Sequence, residues 1–279
     1  MMLLKLLFQN NISTMNTKTI SILKAILLPI AFTVLLVGAS FFKQFLPPQY
    51  ERMSYGLIGS VVAILVTWLF LKWDGKSWSA LNLGWDSKTI PKSLLGLIMG
   101  IVLAAIMVGT MVVFTDVTIA INDAPAILPF LMTATALIPL AWMEEMAFRG
   151  YAFQQLHSSI GLRNTQIIIA IVFALYHVAG GQGLASSFLG PGCFAFVFGM
   201  ARVKSGGIAL PTGLHVGLNL FNASIGQHRG LNSLFVIGME NGSELSGRMV
   251  SYWGYGLNLA MLAVTWLIME HHIQQEKKG

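Results

Sequence analysis

Charge is what this 279-residue chain has least of: 10% of its residues are Asp, Glu, Lys or Arg, against 55% hydrophobic and a mean hydropathy of +0.71. Soluble domains carry about 25% charged residues, so water is excluded as the main solvent. Cysteine is nearly absent as well. Cys193 stands alone, which excludes an intrachain disulfide, a Cys-rich zinc site and an iron–sulfur cluster. No G-x-S-x-G stands within an apolar run and no aspartate lies deep in one, which argues against serine and aspartyl intramembrane peptidases. The net charge of +6 comes from Lys and Arg scattered through short connections, without the continuous stripe that nucleic acid needs.

Long apolar runs are what the chain has in abundance. A bilayer core about 30 Å thick takes roughly 20 apolar residues per helix. Runs of that kind stand at 19–42, 54–73, 92–115, 125–148, 164–180, 185–203, 207–225 and 250–270. They are continuously apolar and lack the alternation of a barrel strand, so the expected fold is an all-α polytopic transmembrane bundle of about eight spans. The division that follows is a cytoplasmic segment over 1–18, a membrane domain over 19–270 with its chemistry concentrated in about 125–225, and a tail over 271–279. Most of the 17 Lys and Arg residues fall on one side of this topology, which by the positive-inside rule places both termini in the cytoplasm, and the cell membrane is the expected location.

At the N-terminus, the apolar run Met2 to Phe8 is too short to span and has no small-residue cleavage site behind it, so no signal peptide is expected. Met15, just before a polar, Lys-bearing segment, is a candidate start. Gly96 with Gly100, and Gly213 with Gly217, are spaced to let another helix approach closely. The connection 226–249, with His228, Arg229, Glu240, Asn241, Gly242 and Glu244, reads as a solvated loop.

Of the eleven carboxylates, Glu144 and Glu145 stand out because they follow directly on the apolar run Ala134 to Met143. A charged side chain inside a bilayer is costly, and where one occurs it faces a cavity or a partner and marks a function. At 100° per residue, Glu145 and Arg149 share a helix face as an i, i+4 pair, whereas Glu144 points elsewhere. Glu145 is therefore expected to pair with Arg149, leaving Glu144 free of a local cation and suited to act as a general base. His177 lies near the end of the fifth run. In the seventh, His215 and Asn219 are also i, i+4, so an imidazole and an amide can converge on one oxygen, as an oxyanion hole requires. Glu144 and His177 are placed symmetrically about Gly161, the expected turn between two antiparallel spans.

Three stretches carry a family resemblance: Glu144-Glu145-Met-Ala-Phe148-Arg149-Gly150, Phe173-Ala-Leu-Tyr-His177 and His215-Val-Gly-Leu-Asn219. Their order and spacing resemble the EExxxR, FxxxH and HxxxN motifs of the CPBP (CAAX protease and bacteriocin-processing, or Abi) family, which includes the type II CAAX prenyl endopeptidases. The resemblance implies an intramembrane endopeptidase with Glu144 as the base that activates water and His177 as the partner of that water. His215 and Asn219 become the oxyanion hole, with Glu145, Arg149 and Phe173 as supports. Such proteins are often labelled metallopeptidases, yet the H-E-x-x-H helix motif is missing here. No cofactor is therefore expected. A divalent metal stays open, with Glu144, His177 and His215 as its ligands.

The implied partners are membrane lipid and a peptide or protein substrate, with or without a lipid group, and not nucleic acid. Two other readings use the same residues: a non-catalytic immunity or regulatory membrane protein, and an ion-coupled transporter. The transporter reading is weakened because no second segment resembles Ala141 to Gly150. Access is a point of tension, since charge counting puts the Gly161 turn in the cytoplasm and the site far from it, whereas the resemblance implies a cytosolic opening. An interfacial segment over 151–163 reconciles the two.

Overall fold

A backbone in lipid must satisfy every N–H and C=O group internally, and each apolar run accordingly folds as a helix. The computed structural model describes residues 16–227, 233–240 and 244–278. The Met2 to Phe8 run, Met15, His228, Arg229, Asn241 and Gly242 lie outside the described residues. In chain order the helices are α1 (Thr17–Ser40), α2 (Pro48–Trp73), α3 (Thr89–Phe114), α4 (Ile127–Arg149), α5 (Tyr151–Ala179), α6 (Leu184–Ser187), α7 (Cys193–Ser205), α8 (Ala209–Ser224) and α9 (Glu244–Glu276). A π turn at Phe188–Gly192 joins α6 to α7.

Among the described residues, six stretches are long and apolar enough to cross a membrane, one of them the 53-residue Ile127–Ala179 that contains both α4 and α5. Their outward faces are apolar, as Leu94, Ile98 and Ile106 show by being more than half exposed. The expected seventh span, 207–225, forms the 16-residue α8, which rises only about 24 Å at 1.5 Å per residue. It has no need to match the bilayer, because every residue from Leu210 to Leu218 is buried against protein.

Glycine makes that burial possible. Gly96 and Gly100 of α3 lie against the backbone of Leu210, Leu214 and Leu218, while Gly213 and Gly217 of α8 lie against that of Ser93, Leu97 and Ile101. A Cβ at any of the four would collide with the opposing main chain. The seam fixes α8, and with it His215, against α3.

Two features depart from a plain helix bundle. Strand β1 (Val117–Ile121) pairs antiparallel with β2 (Phe235–Met239), Val117 opposite Met239 and Ile121 opposite Phe235. Part of the 226–249 connection is therefore a ribbon edge and not a simple solvated loop. The other feature is a double break after α4. Gly150 interrupts the helix with φ −78° and ψ −114°, and Gly161 interrupts α5 at φ +76°, a left-handed value that favours glycine. Residues 151–160 thus form a separate helical piece between two spans, and the turn expected at Gly161 is a kink.

One end of the bundle is tied by a polar layer. Asp74, at the C-cap of α2, accepts from Lys24 Nζ (2.6 Å), Tyr151 Oη (2.7 Å) and Gln155 Nε2 (2.8 Å). Burial alone would raise the Asp74 carboxyl. Hydrogen bonds from Lys24 and Tyr151 and the charges of Lys24 and Lys76 outweigh it, so the group sits below the usual carboxylate range. Buried Arg202 donates to the carbonyls of Arg149 (3.1 Å) and Leu81 (3.0 Å) and to Gln154 Oε1 (3.3 Å). Together Asp74 and Arg202 clamp the chain on both sides of the Gly150 break.

Candidate active site

The last turns of α4, the end of α5 and the middle of α8 meet around Glu144 and Glu145. Glu145 and Arg149 have fully buried side chains, and Arg149 Nη1 lies 3.4 Å from Glu145 Oε1, the i, i+4 pair that the spacing predicts. The guanidinium is held between two aromatic faces, 4.3 Å from the Phe173 ring centre and 5.2 Å from that of Phe198. A planar, weakly hydrated cation suits such a slot, which explains why Phe173 accompanies it.

His215 belongs to the same cluster. Its Nδ1 is 3.0 Å from Glu145 Oε1, and its ring stacks on Phe198 at 4.5 Å and 17°. A carboxylate only accepts hydrogen bonds, so Nδ1 carries a proton, and in the neutral imidazole Nε2 presents a lone pair. That Nε2 lies 3.7 Å from Glu144 Oε2. Glu144 is held from the other side by Tyr176, whose hydroxyl donates to Oε1 at 3.2 Å. Oε2 is buried and has no hydrogen-bond partner among the described residues. Glu144 thus has one oxygen anchored and the other turned toward an imidazole lone pair.

His177 is placed differently. Its Nδ1 lies 2.9 Å from the Phe173 carbonyl, one turn back on its own helix, and its ring packs edge-on against Phe173 (4.6 Å) and Tyr176 (5.1 Å). The carbonyl accepts, so Nδ1 donates and Nε2 is left available. The depth argument about Gly161 lands one residue away, because Tyr176 and not His177 reaches Glu144. Asn219, one turn beyond His215, is half-buried.

Among the described residues no three His, Cys, Asp or Glu side chains gather as metal ligands. His177 Nδ1 is bonded to a carbonyl and His215 Nδ1 to Glu145, which leaves Nε2 of each ring for other partners.

Sequence reasoning missed Tyr176 and Tyr55. Tyr55 lies close to Tyr176 and Glu144, bringing α2 to the site. The available signal was a pair of hydroxyls inside otherwise apolar runs. It also missed a cleft of about 480 Å³ beside Trp142 and Met146 of α4, bounded by Trp85, Lys92 and Thr212. Thr212 stands one turn before His215 on α8.

This fold and cluster define a polytopic integral membrane protein with a buried carboxylate–imidazole site. Residues 126–221 match the family model described as Type II CAAX prenyl endopeptidase Rce1-like, a stretch that contains every motif residue from Glu144 to Asn219. The match supports the resemblance to the CPBP family and, at the level of that family, a peptidase. No curated protein matches the chain.

Proposed function

We propose that the protein is an intramembrane endopeptidase that hydrolyses a peptide bond of a membrane-associated or lipidated peptide or protein with water activated by Glu144. The observation that carries this is the pairing of Glu144 Oε2 with His215 Nε2 at 3.7 Å, since both are acceptors facing a common point. A water bound there donates one proton to each, and its remaining lone pair is left to attack a carbonyl carbon. Glu144 takes the proton as the carbon–oxygen bond forms and passes it to the leaving amine as the tetrahedral intermediate collapses. No metal takes part in these steps.

The arrangement favours exchanging the roles that the resemblance gives the two histidines. Glu145 holds His215 in the tautomer that accepts a hydrogen bond from the water, and the Asn219 amide is left as the donor for the oxyanion. His177, whose Nδ1 is held by the Phe173 carbonyl, is left to contact the substrate through Nε2.

Access from the cytosol and an orientation with both termini inside, at the cell membrane, complete the proposal. Lys24, Lys72, Lys76, Arg202 and Lys204 lie at the end of the bundle that Asp74 and Arg202 tie together, which supports that end facing the cytoplasm. Glu144 is seven positions before Tyr151 of that layer, about 10 Å at 1.5 Å per residue. The cleft beside Trp142 opens at this end and supports the same access.

The deciding experiment compares membranes carrying the wild type and Glu144→Gln by quantitative peptidomics. Products present with the wild type and missing with the variant are expected. Undiminished cleavage by Glu144→Gln would overturn the assignment.

A further inference from the structure

Tyr176 reaches Glu144 from a ring fixed on three sides. Its centroid is 5.9 Å from Phe32 of α1, 5.3 Å from Phe148 of α4 and 6.2 Å from Phe173 of its own helix. Phenylalanine would fill the same slot and make the same ring contacts. The hydroxyl adds a single thing, the 3.2 Å hydrogen bond to Glu144 Oε1, beside which Tyr55 of α2 lies.

The direction of this bond follows from chemistry. An ionised carboxylate accepts and never donates, so the one proton of Tyr176 goes to Glu144. Anchoring Oε1 leaves one freedom to Glu144, and that freedom turns Oε2 toward His215 Nε2. A glutamate has three rotatable side-chain bonds, and without the anchor the carboxylate would share its time among rotamers that do not face His215.

We infer that Tyr176, with Tyr55 beside it, is a positioning residue that holds Glu144 in the orientation of a general base, a role that rests on the Glu144 mechanism proposed above. Tyr176 stays clear of the reacting atoms and acts only through Glu144. The bundle thereby recruits α1 and α2, which lie outside the 126–221 match, into control of the site.

Two measurements on the full-length protein in lipid test this, and the first needs no substrate. In an infrared pH titration, the Glu144 carboxyl band is assigned by its loss in Glu144→Gln. Tyr176→Phe is expected to move its midpoint upward by about one pH unit, because a carboxylate that loses a donor holds its proton more tightly. Tyr55→Phe is expected to move it the same way by less.

In the second, a peptide cleaved by the wild type and spared by Glu144→Gln is assayed with both variants. Tyr176→Phe is expected to lower kcat about tenfold with KM unchanged, and to displace the acid limb of the rate profile upward with the infrared midpoint. An unmoved midpoint, or a loss confined to KM, overturns the inference. If no peptide shows Glu144-dependent cleavage, the peptidase reading falls, while the titration still decides whether Tyr176 governs Glu144. Equal melting temperatures for Tyr176→Phe and wild type exclude misfolding as the cause.

Discussion

Asp74 and Glu144 are both carboxylates set among packed helices, and they are treated in opposite ways. Around Asp74 every need is met: Lys24, Lys76, Tyr151 and Gln155 surround its two oxygens at the end of α2. Around Glu144 the accounts are left open. Glu144 Oε2, Glu145 Oε2, Arg149 Nε and Arg149 Nη2 are buried without hydrogen-bond partners among the described residues. Buried polar atoms are satisfied in the great majority of cases, so a cluster whose protein partners are missing has bonding capacity left for water or substrate, which a purely structural role has no use for. A satisfied carboxylate is a strut, and an under-satisfied one is a tool.

The sharpest way to break that comparison is at Glu144. Glu144→Gln keeps the volume and removes the basicity, so cleavage is expected to fall by about 10²- to 10⁴-fold, the range contributed by a general base. The same variant is expected to melt no lower than the wild type, because neutralising an uncompensated buried carboxylate relieves a cost. A variant that lost both activity and stability would make Glu144 a second strut. Peptidase assay and thermal melting in one detergent preparation read both.

Arg149→Ala comes next in size. It strands Glu145 beside Glu144 with no cation, and losing one partner of a buried pair costs about 3–5 kcal/mol. The melting temperature is expected to drop steeply. Replacing both members, Arg149→Met with Glu145→Leu, is expected to recover much of that stability, since an apolar pair of similar volume carries no desolvation cost. Activity is not expected to return, because His215 has lost the group that fixes its tautomer. Recovery of cleavage in the double variant would show that Glu145 serves packing alone.

The two regions also differ in how far the sequence exposes them. Apolar runs of bilayer length and the glycine pairs at 96/100 and 213/217 carry local signals, and the helices and the α3–α8 seam follow from them. The Glu145–Arg149 pair was equally legible, being one turn apart on one helix. What stayed hidden depends on how helices are rotated against each other. Tyr176 and His177 are adjacent, yet a 100° step per residue sends one to Glu144 and the other away, and the kink at Gly161 decides which. The β1–β2 ribbon was hidden because its strands lie more than a hundred positions apart, although Val117–Ile121 is rich in β-branched residues. The Asp74 layer joins α1, α2 and α5, and nothing local in Asp74-Gly75-Lys76 announces a buried hub.

Asp74→Asn gives the smallest of these effects and the one with a pH signature. Amide for carboxylate keeps the shape and a hydrogen-bond acceptor but loses the attraction to Lys24 and Lys76, so about 1–3 kcal/mol of stability is expected to go, the range for a charge-assisted bond. The sign with pH follows from the depressed Asp74 carboxyl. Its stabilisation is complete above the unfolded value of about 3.9 and is lost as pH falls through the lower folded value. The gap in melting temperature between wild type and Asp74→Asn is therefore expected to be constant from neutral pH down to about pH 5 and to close below that. Activity at neutral pH should fall only as far as the Gly150 break loosens, since Tyr151 and Gln155 lose their anchor while Arg202 keeps its hold on the Arg149 carbonyl. A gap that stayed open in acid would mean that Asp74 acts through shape instead of charge, and the contrast between strut and tool would then have to rest on geometry alone.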